Sequence, residues 1–300
     1  MKDDKFLTTI DEEGALTAES FYERFVIPGR PVLIKGAVRH WKALDKWNPV
    51  FFKTAAGSLE LPVKTDDVSK GKTTEMMLGA YVSALLEYES MLVRGEVESG
   101  TFPYLHDVPI FHLMPGLAKD VEPFPLEYFP KWYHNHILRY AQFFMSATGS
   151  ITPLHFDTLY THNLFFQVYG TKQFILIPAG QKKFCYMQGW RWAQVKASMP
   201  DYVRYPRFQQ ANPVRLTIEP GDMLFMPSGT LHEVKTLCPS ISFNIDWHTP
   251  KTALKGLMSG LKGAPLENVY YNALICASLC LKVSPERIFP FYRPYLSYIS

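Results

Sequence analysis

Nine histidines are present, and most stand apart from other ligand-type residues. His106, His112 and His248 have no such neighbour at short spacing, and His40 lies in a Trp-rich segment where a structural role is expected. His155-Phe156-Asp157 is different. The stretch Ile151 to Asp157 reads as a strand, and strand side chains alternate faces, so His155 and Asp157 point the same way. A third ligand is available in His232, which follows the buried run Met223-Leu224-Phe225-Met226-Pro227 and lies 75 residues after Asp157. Two imidazoles and one carboxylate on one face of an octahedral metal leave three positions open, the arrangement used by non-haem Fe(II) oxygenases. The HxD spacing alone is a weak signal. A local His155–Asp157 hydrogen bond with an incidental His232 uses the same residues.

Oxygenases of this kind commonly take 2-oxoglutarate, whose keto-acid end fills two of the open positions. Its far carboxylate then needs a cation, because an unpaired charge in an apolar interior is costly. Lys172 is the sole Lys or Arg between Tyr140 and Gly180, and it heads the run Lys172 to Ile177 with Phe174 and Leu176 on its own face. The alternative is an edge-strand lysine whose ammonium reaches water. A competing metal pair, His134-Asn135-His136, has no Glu at a matching offset, and its Trp132 and Tyr133 neighbours predict a loop packed on the core. His162 is close enough to Asp157 to support the ligands or face a substrate.

These residues need rigid elements to hold them. Short strands are predicted at 142–147, 152–157, 163–169, 172–177, 214–218, 222–226 and 240–247, a spacing typical of a β-sandwich or small barrel. Tyr169-Gly170-Thr171 predicts a hairpin, and Glu219-Pro220-Gly221-Asp222 places Pro and Gly as a type II turn requires. The polar, aromatic insert 181–213 is expected over one barrel end. Upstream, a helix is predicted near 18–25, strands at 31–34 and 61–64, a helix at 74–89 and a strand at Met91-Leu92-Val93. Residues 101–135 are Pro-broken and read as loops and short turns. Helices are predicted at 253–261 and 266–281, the second with Tyr270, Ala273, Leu274, Ala277 and Leu281 as its apolar stripe.

Composition bounds the rest. At 300 residues, with 47% hydrophobic and 20% charged residues, the chain is globular and large enough to fold without a disulfide or metal. Net charge is +3 with no dense basic run, which argues against non-specific nucleic-acid binding. The four cysteines form no CxxC pair, so a zinc finger or thioredoxin-like motif is unsupported, and Cys276 and Cys280 read as buried thiols. No window approaches a membrane span, residues 1–14 lack an apolar run of leader length, and a reducing cytoplasmic setting is expected.

Gly149 to Asp157 followed by Asn163 to Phe174 resembles the Jumonji-C (cupin-8-like) 2-oxoglutarate oxygenases, in the small hydroxylase branch that includes factor inhibiting HIF. Glu219 to Pro227 with Leu231-His232, and Arg30 to Ala37 with Trp41, resemble further segments of that family, giving coverage of about 20–250. The resemblance implies a mainly β fold, a double-stranded β-helix (jelly-roll, cupin-like) with flanking amino- and carboxy-terminal helices. It implies Fe(II) held by His155, Asp157 and His232, and 2-oxoglutarate as cosubstrate, its far carboxylate met by Lys172, Thr152 and Tyr104. Asn163 and Asn244 match asparagines near the cosubstrate. Two differences stand out: the Asp157–Asn163 spacing is longer than in factor inhibiting HIF, and Leu231 stands where relatives often carry an aromatic.

The implied reaction hydroxylates an unactivated C–H with O2 and 2-oxoglutarate, giving succinate and CO2. A protein or peptide side chain is the expected substrate. Nε-methyl-lysine demethylation, and hydroxylation of a modified tRNA base or a small metabolite, use the same chemistry. A cupin-like binding or scaffold protein and a hydrolytic zinc enzyme are rivals from other classes. The expected organisation is an oxygenase domain over 1–250 and a helical extension over 251–300, which either forms a homodimer contact or packs on the barrel.

Overall fold

The computed structural model describes residues 7–11, 16–65 and 67–298. The leader expectation falls largely outside them. Two sheets form the body. The larger has seven strands in the order β1 (Thr8–Asp11), β2 (Val32–Lys35), β13 (Met223–Met226), β8 (His162–Tyr169), β15 (Ser240–Trp247), β6 (Ala141–Ser146) and β5 (Leu105–Val108). The smaller has six: β10 (Met187–Gln188), β11 (Trp192–Ala193), β7 (Ile151–His155), β14 (Leu231–Thr236), β9 (Lys172–Ile177) and β12 (Val214–Ile218). A separate hairpin pairs β3 (Glu60–Lys64) with β4 (Thr73–Met77).

Period-2 alternation divides the strand residues between the inside and outside of this jelly roll. In the larger sheet Phe143, Leu164, Phe166, Phe225, Phe243 and Ile245 join an outer core with the helices. Trp41 stacks there on Phe243 at 5.7 Å and 12°, and Phe166 lies 5.1 Å from Phe243. Each such pair contributes about 0.5–1.5 kcal/mol beyond its buried area. Leu33, Phe144, Phe165 and Leu224 face inward and meet Phe174, Leu176, Leu216 and Val234 of the smaller sheet. A third cluster, including Leu154, Ile175, Ile177, Leu231 and Phe208, covers the smaller sheet's outside. The sheets pack face to face, and no hydrogen-bonded strand pair joins them among the described residues. The jelly-roll expectation holds in this open form.

Several local expectations change. Tyr169-Gly170-Thr171 does not close a hairpin, since β8 and β9 belong to different sheets and the turn carries the chain between them. Gly170 has φ 68°, and a Cβ there would collide with the Pro239 carbonyl, so glycine is required. The turn at 219–222 makes the return crossing; Gly221 has φ 94° and the Asp222 amide donates to the Glu219 carbonyl at 3.0 Å. Asp222 locks it by accepting from Lys35 Nζ at 2.6 Å and Gly36 N at 2.9 Å.

The helix expected over 74–89 begins later, at Leu78, and runs to Val93. Pairing of Thr73–Met77 with Glu60–Lys64 captures the first residues as strand. Met91-Leu92-Val93 continues the helix instead of starting a strand, and Val93 is 90% exposed with no sheet edge to join. The expected helix at 18–25 is α-helical over Ala18–Phe21 and widens into a π-helix over Tyr22–Val26. In helix Leu266–Leu281 the buried face is Asn268, Tyr271, Asn272, Ile275 and Ser278, one position off the expected stripe, leaving Tyr270 and Leu281 exposed. Cys276 is only half-buried and Cys280 is exposed, contrary to expectation.

Candidate metal and cosubstrate site

The interior between the sheets narrows to a cavity. Every expected site residue lines it: Tyr104, Thr152, His155, Asp157, Asn163, Lys172, His232 and Asn244. One donor atom from each of His155, Asp157 and His232 lies within 4.8 Å of the others, a set able to hold a metal ion. His155 and His232 face each other across the β7–β14 ladder, with ring centroids 4.2 Å apart. Strand β7 ends at His155, so Asp157 is delivered by the following turn, with its Oδ1 3.6 Å from His232 Nε2. That turn is clamped from outside. Phe156 packs on Tyr160 at 4.8 Å and Trp190 at 5.5 Å, and Lys182 Nζ lies 3.1 Å from the Phe156 ring centre.

Both imidazoles have a settled tautomer. His155 Nδ1 is 2.7 Å from the Pro153 carbonyl, and His232 Nδ1 is 3.2 Å from the Thr230 carbonyl. A carbonyl only accepts, so each Nδ1 carries the proton and each Nε2 keeps its lone pair for a metal. Burial, with His232 and Arg191 nearby, holds His155 well below the usual imidazole range, in the neutral ligand form. Burial also raises the Asp157 carboxyl, partly opposed by His232 and Arg191. A divalent cation reverses that preference by favouring the carboxylate.

Thr152 reaches the cavity through an irregularity that simple alternation does not foresee. On alternation, Thr152 and His155 occupy opposite faces of β7. The pairing passes from His232↔His155 to Val234↔Thr152, two steps on β14 against three on β7. This bulge turns both side chains inward.

Lys172 is 1% exposed, which excludes the water-reaching alternative. Its Nζ donates to the Tyr104 hydroxyl at 2.9 Å and lies 5.3–5.7 Å from the ring centres of Tyr104, Phe144 and Phe165. Burial lowers its pKa to about 7. No carboxylate pairs with it among the described residues. The backbone of Tyr104 is pinned by two 2.8 Å hydrogen bonds with Lys64, and the buried Tyr81 hydroxyl donates to Met145 O at 2.8 Å beside it. Ser146 and Thr152 hydroxyls also reach the Tyr104 oxygen. Nearby, the side-chain oxygens of Asn163 and Asn244 have no hydrogen-bond partner among the described residues. A buried cation, converging hydroxyls and unused amide oxygens suit a small dianion beside a metal. The residues present fit Fe(II) and 2-oxoglutarate.

Other histidines fall outside this set, with one exception. His162 shares the outward face of β8 with Leu164 and packs on Trp247 at 4.6 Å with the rings tilted by 37°. His136 lies 3.1 Å from Glu286, and His134 from the Phe129 carbonyl at 3.0 Å, as expected for a packed loop. His106 is the exception. Isolated in sequence spacing, it lines the cavity with its Nδ1 2.8 Å from Asp107. Asp107, Arg191 and Asp246 also line the cavity and carry no sequence expectation. Asp246 is reachable by parity, two residues from Asn244 on the same strand face. Arg191 is not. It comes from the insert, where Trp192 of the added strand β11 pairs in register with His155 and Arg191 lies 4.4 Å above the Trp192 ring.

The cupin-like domain family matches residues 18–253. Human "Bifunctional peptidase and (3S)-lysyl hydroxylase JMJD7" is 26% identical over 270 residues, covering 78% of this chain and 82% of that protein. "Lysine-specific demethylase 8" of Xenopus tropicalis is 24% identical over 80% of this chain and 53% of its own length. The chicken "2-oxoglutarate and iron-dependent oxygenase JMJD4" is 26% identical over 79% of this chain and 59% of its own length. The chain thus spans little more than half of the last two relatives. With the family match extending through both sheets and all three candidate ligands, this chain belongs to the cupin-like, Jumonji-C family of Fe(II)- and 2-oxoglutarate-dependent oxygenases.

Proposed function

We propose that the protein hydroxylates an unactivated C–H of a protein or peptide side chain, with His155, Asp157 and His232 as its iron ligands. The observation that carries the reading is Lys172, a buried lysine without a carboxylate partner among the described residues, in the same cavity as the triad. Bound Fe(II) and 2-oxoglutarate supply O2 activation coupled to oxidative decarboxylation, so that one oxygen atom enters succinate and the other the substrate.

The chain's own part is positional. Pro153 and Thr230 carbonyls fix the imidazoles with Nε2 inward. Lys172, Tyr104 and Thr152 receive the far carboxylate of the cosubstrate, and Asn163 and Asn244 offer amides beside it. Phe144, Phe165, Phe174, Met226 and Val234 keep the cavity dry, which strengthens each charge interaction inside. The similarity to a named lysyl hydroxylase and a named lysine demethylase supports a protein substrate.

The test is mass spectrometry of peptide, tRNA and metabolite pools incubated with enzyme, Fe(II) and O2, with and without 2-oxoglutarate. A gain of one oxygen atom on peptides alone is expected. Oxygenated nucleosides or metabolites would replace the substrate class, and formaldehyde release from methyl-lysine peptides would replace hydroxylation by demethylation.

Residues 1–250 act as the oxygenase domain in this reading, and the helices beyond pair two copies. Leu261 is 88%, Leu266 83% and Leu281 74% exposed, an apolar surface that a second copy would cover. Sedimentation velocity is expected to give a dimer that Leu261→Glu with Leu281→Glu dissociates; a concentration-independent monomer overturns the pairing. A cytoplasmic setting agrees with four free cysteines. No helix among the described residues is long and apolar enough to cross a membrane.

A further inference from the structure

The turn that delivers Asp157 is flanked on its outer side by lysines. Lys182, from the turn Ala179–Phe184 after β9, sets its Nζ 3.1 Å from the Phe156 ring centre and 4.5 Å from that of Tyr160. It donates to the Tyr160 hydroxyl at 3.1 Å. Lys255, from the helix Pro250–Leu257, places its Nζ 4.7 Å from the Tyr160 ring centre and 3.3 Å from the Ser228 carbonyl. Lys251 stands one turn earlier on the same face of that helix. Lys255 and Lys262 both act on Lys182, and Lys251 and Lys262 both act on Lys255.

These four ammonium groups share no counter-charge. Elsewhere lysines are paired: Lys35 with Asp222 and Glu219, and Lys46 with Asp120. No carboxylate pairs with Lys182, Lys251, Lys255 or Lys262 among the described residues, and none acts on Lys182 or Lys255. Burial lowers the Lys182 pKa to about 7, and the neighbouring lysines push the same way. Burial also lowers Lys255, again with only lysines adding to it. The Phe156 and Tyr160 ring faces attract Lys182 but carry no net charge. Like charges gathered this way repel one another, and an arriving anion relieves the repulsion.

The patch adjoins the cavity. Thr158 and Arg191 line the cavity. Trp190, the chain neighbour of Arg191, donates its Nε1–H to the Thr158 carbonyl at 3.3 Å and lies 5.6 Å from the Tyr160 ring. Ser228, against which Lys255 rests, is two residues before Thr230, whose carbonyl orients His232. The lysines thus sit on the outside of the two loops that carry Asp157 and His232. An extended chain advances about 3.3 Å per residue, so a peptide with one side chain in the cavity brings residues a few positions away over the patch.

We propose that Lys182, Lys251, Lys255 and Lys262 form a docking surface for Asp and Glu residues flanking the oxidised side chain of a peptide substrate. The inference rests on the peptide-hydroxylase reading above and deepens it to an acidic flank. Carboxylates suit the patch better than nucleic-acid phosphate does. No arginine acts on Lys182 or Lys255, whereas phosphate recognition favours the bidentate guanidinium. A net charge of +3 also falls short of the basic stripe that a polyanion follows.

Fluorescence anisotropy tests this with labelled peptides alternating Glu with Gly, their Gln–Gly and Lys–Gly counterparts, and oligouridylate. Each is titrated into the anaerobic protein loaded with Fe(II) and 2-oxoglutarate, whose absorption band checks that every variant is loaded. The Glu–Gly peptide is expected to bind tightest and to weaken as salt is raised. Lys251→Glu with Lys255→Glu, both at exposed positions, is expected to weaken it by roughly 10-fold or more, while Lys251→Arg with Lys255→Arg keeps it. Equal binding of the Glu–Gly and Gln–Gly peptides, or binding that the reversed pair keeps, overturns the inference. Oligouridylate bound more tightly than the Glu–Gly peptide, and lost in the reversed pair, assigns the patch to nucleic-acid phosphate and also overturns it. Aerobic oxidation of a random peptide pool separates this inference from the reading it rests on. Enrichment of Asp and Glu beside the oxidised residue, lost in the reversed pair, supports the docking surface. Oxidation without that enrichment overturns it and leaves the hydroxylase reading intact. If the Glu–Gly peptide binds through the patch and no peptide is oxidised, the hydroxylase reading falls and the acidic docking surface stands.

Discussion

His155→Ala abolishes 2-oxoglutarate-dependent succinate formation, and His232→Ala does the same. Each imidazole contributes one Nε2 to the three-residue set, and each is oriented by a backbone carbonyl at its other nitrogen. Losing an outer partner of a metal ligand typically costs about 10–100-fold in affinity or activity, so losing the ligand itself is expected to exceed roughly 100-fold. Iron binding is read independently of turnover, from the absorption band that Fe(II) and 2-oxoglutarate develop together without oxygen. Both variants are expected to lose that band. His136→Ala serves as the contrast, because His136 pairs with Glu286 at the surface and touches no part of the cavity. Succinate formation by His155→Ala at the wild-type rate would remove the triad assignment. Loss of the band in His136→Ala would move the metal to the other histidine pair.

Lys172→Met separates function from stability. The wild-type ammonium is buried with one phenol for a partner, and burial has lowered its pKa to about 7. Removing one partner of a buried charge pair costs about 3–5 kcal/mol, so 2-oxoglutarate affinity is expected to fall by roughly 100-fold or more, with metal binding retained. The ligand-free protein changes in the opposite direction. A lysine whose folded pKa lies below its unfolded value binds fewer protons when folded, so its burial penalty is full below pH about 7 and fades as pH rises toward the unfolded value of 10.5. Lys172→Met removes that penalty and is expected to raise apo stability by a few kcal/mol at pH 7, less at pH 10. The same linkage makes wild-type 2-oxoglutarate binding weaken above pH 7, as the empty site loses the proton that the bound dianion requires. Thermal unfolding of both proteins at two pH values, with calorimetric 2-oxoglutarate titrations, measures each of these effects. A variant less stable at pH 7 than at pH 10 relative to wild type, or one with unchanged affinity, would assign the cosubstrate charge to another residue.

The legible parts of this protein are those governed by short-range patterning. Alternation over 163–169 and 240–247 is enough to place Asn163 and Asn244 on inward faces, because a one-residue shift would exchange every buried side chain. The turn at 219–222 is readable because Pro and Gly have narrow backbone preferences. The upstream helix shows where such patterning fails. Met76 and Met77 share helix-like apolar spacing with Tyr81, Leu85 and Leu86, yet Glu60 to Lys64 offers Thr73–Met77 backbone partners. Local propensity loses there to a contact that spacing cannot reveal.

The residue types alone make the metal and cosubstrate chemistry readable: two histidines and an aspartate at HxD…H spacing, and one lysine in an apolar run. Those signals depend on what each side chain can donate or accept, and that is carried by its identity. The three-dimensional fold is needed for the β7 bulge that turns Thr152 inward, the added strand β11 that brings Arg191 and Trp192 to His155, the recruitment of His106, and the lack of a cation beside Asp246 among the described residues. Each of these is a relation between segments far apart in the chain. Whether a buried charge is matched depends on everything that packs around it, and the folded arrangement alone supplies that.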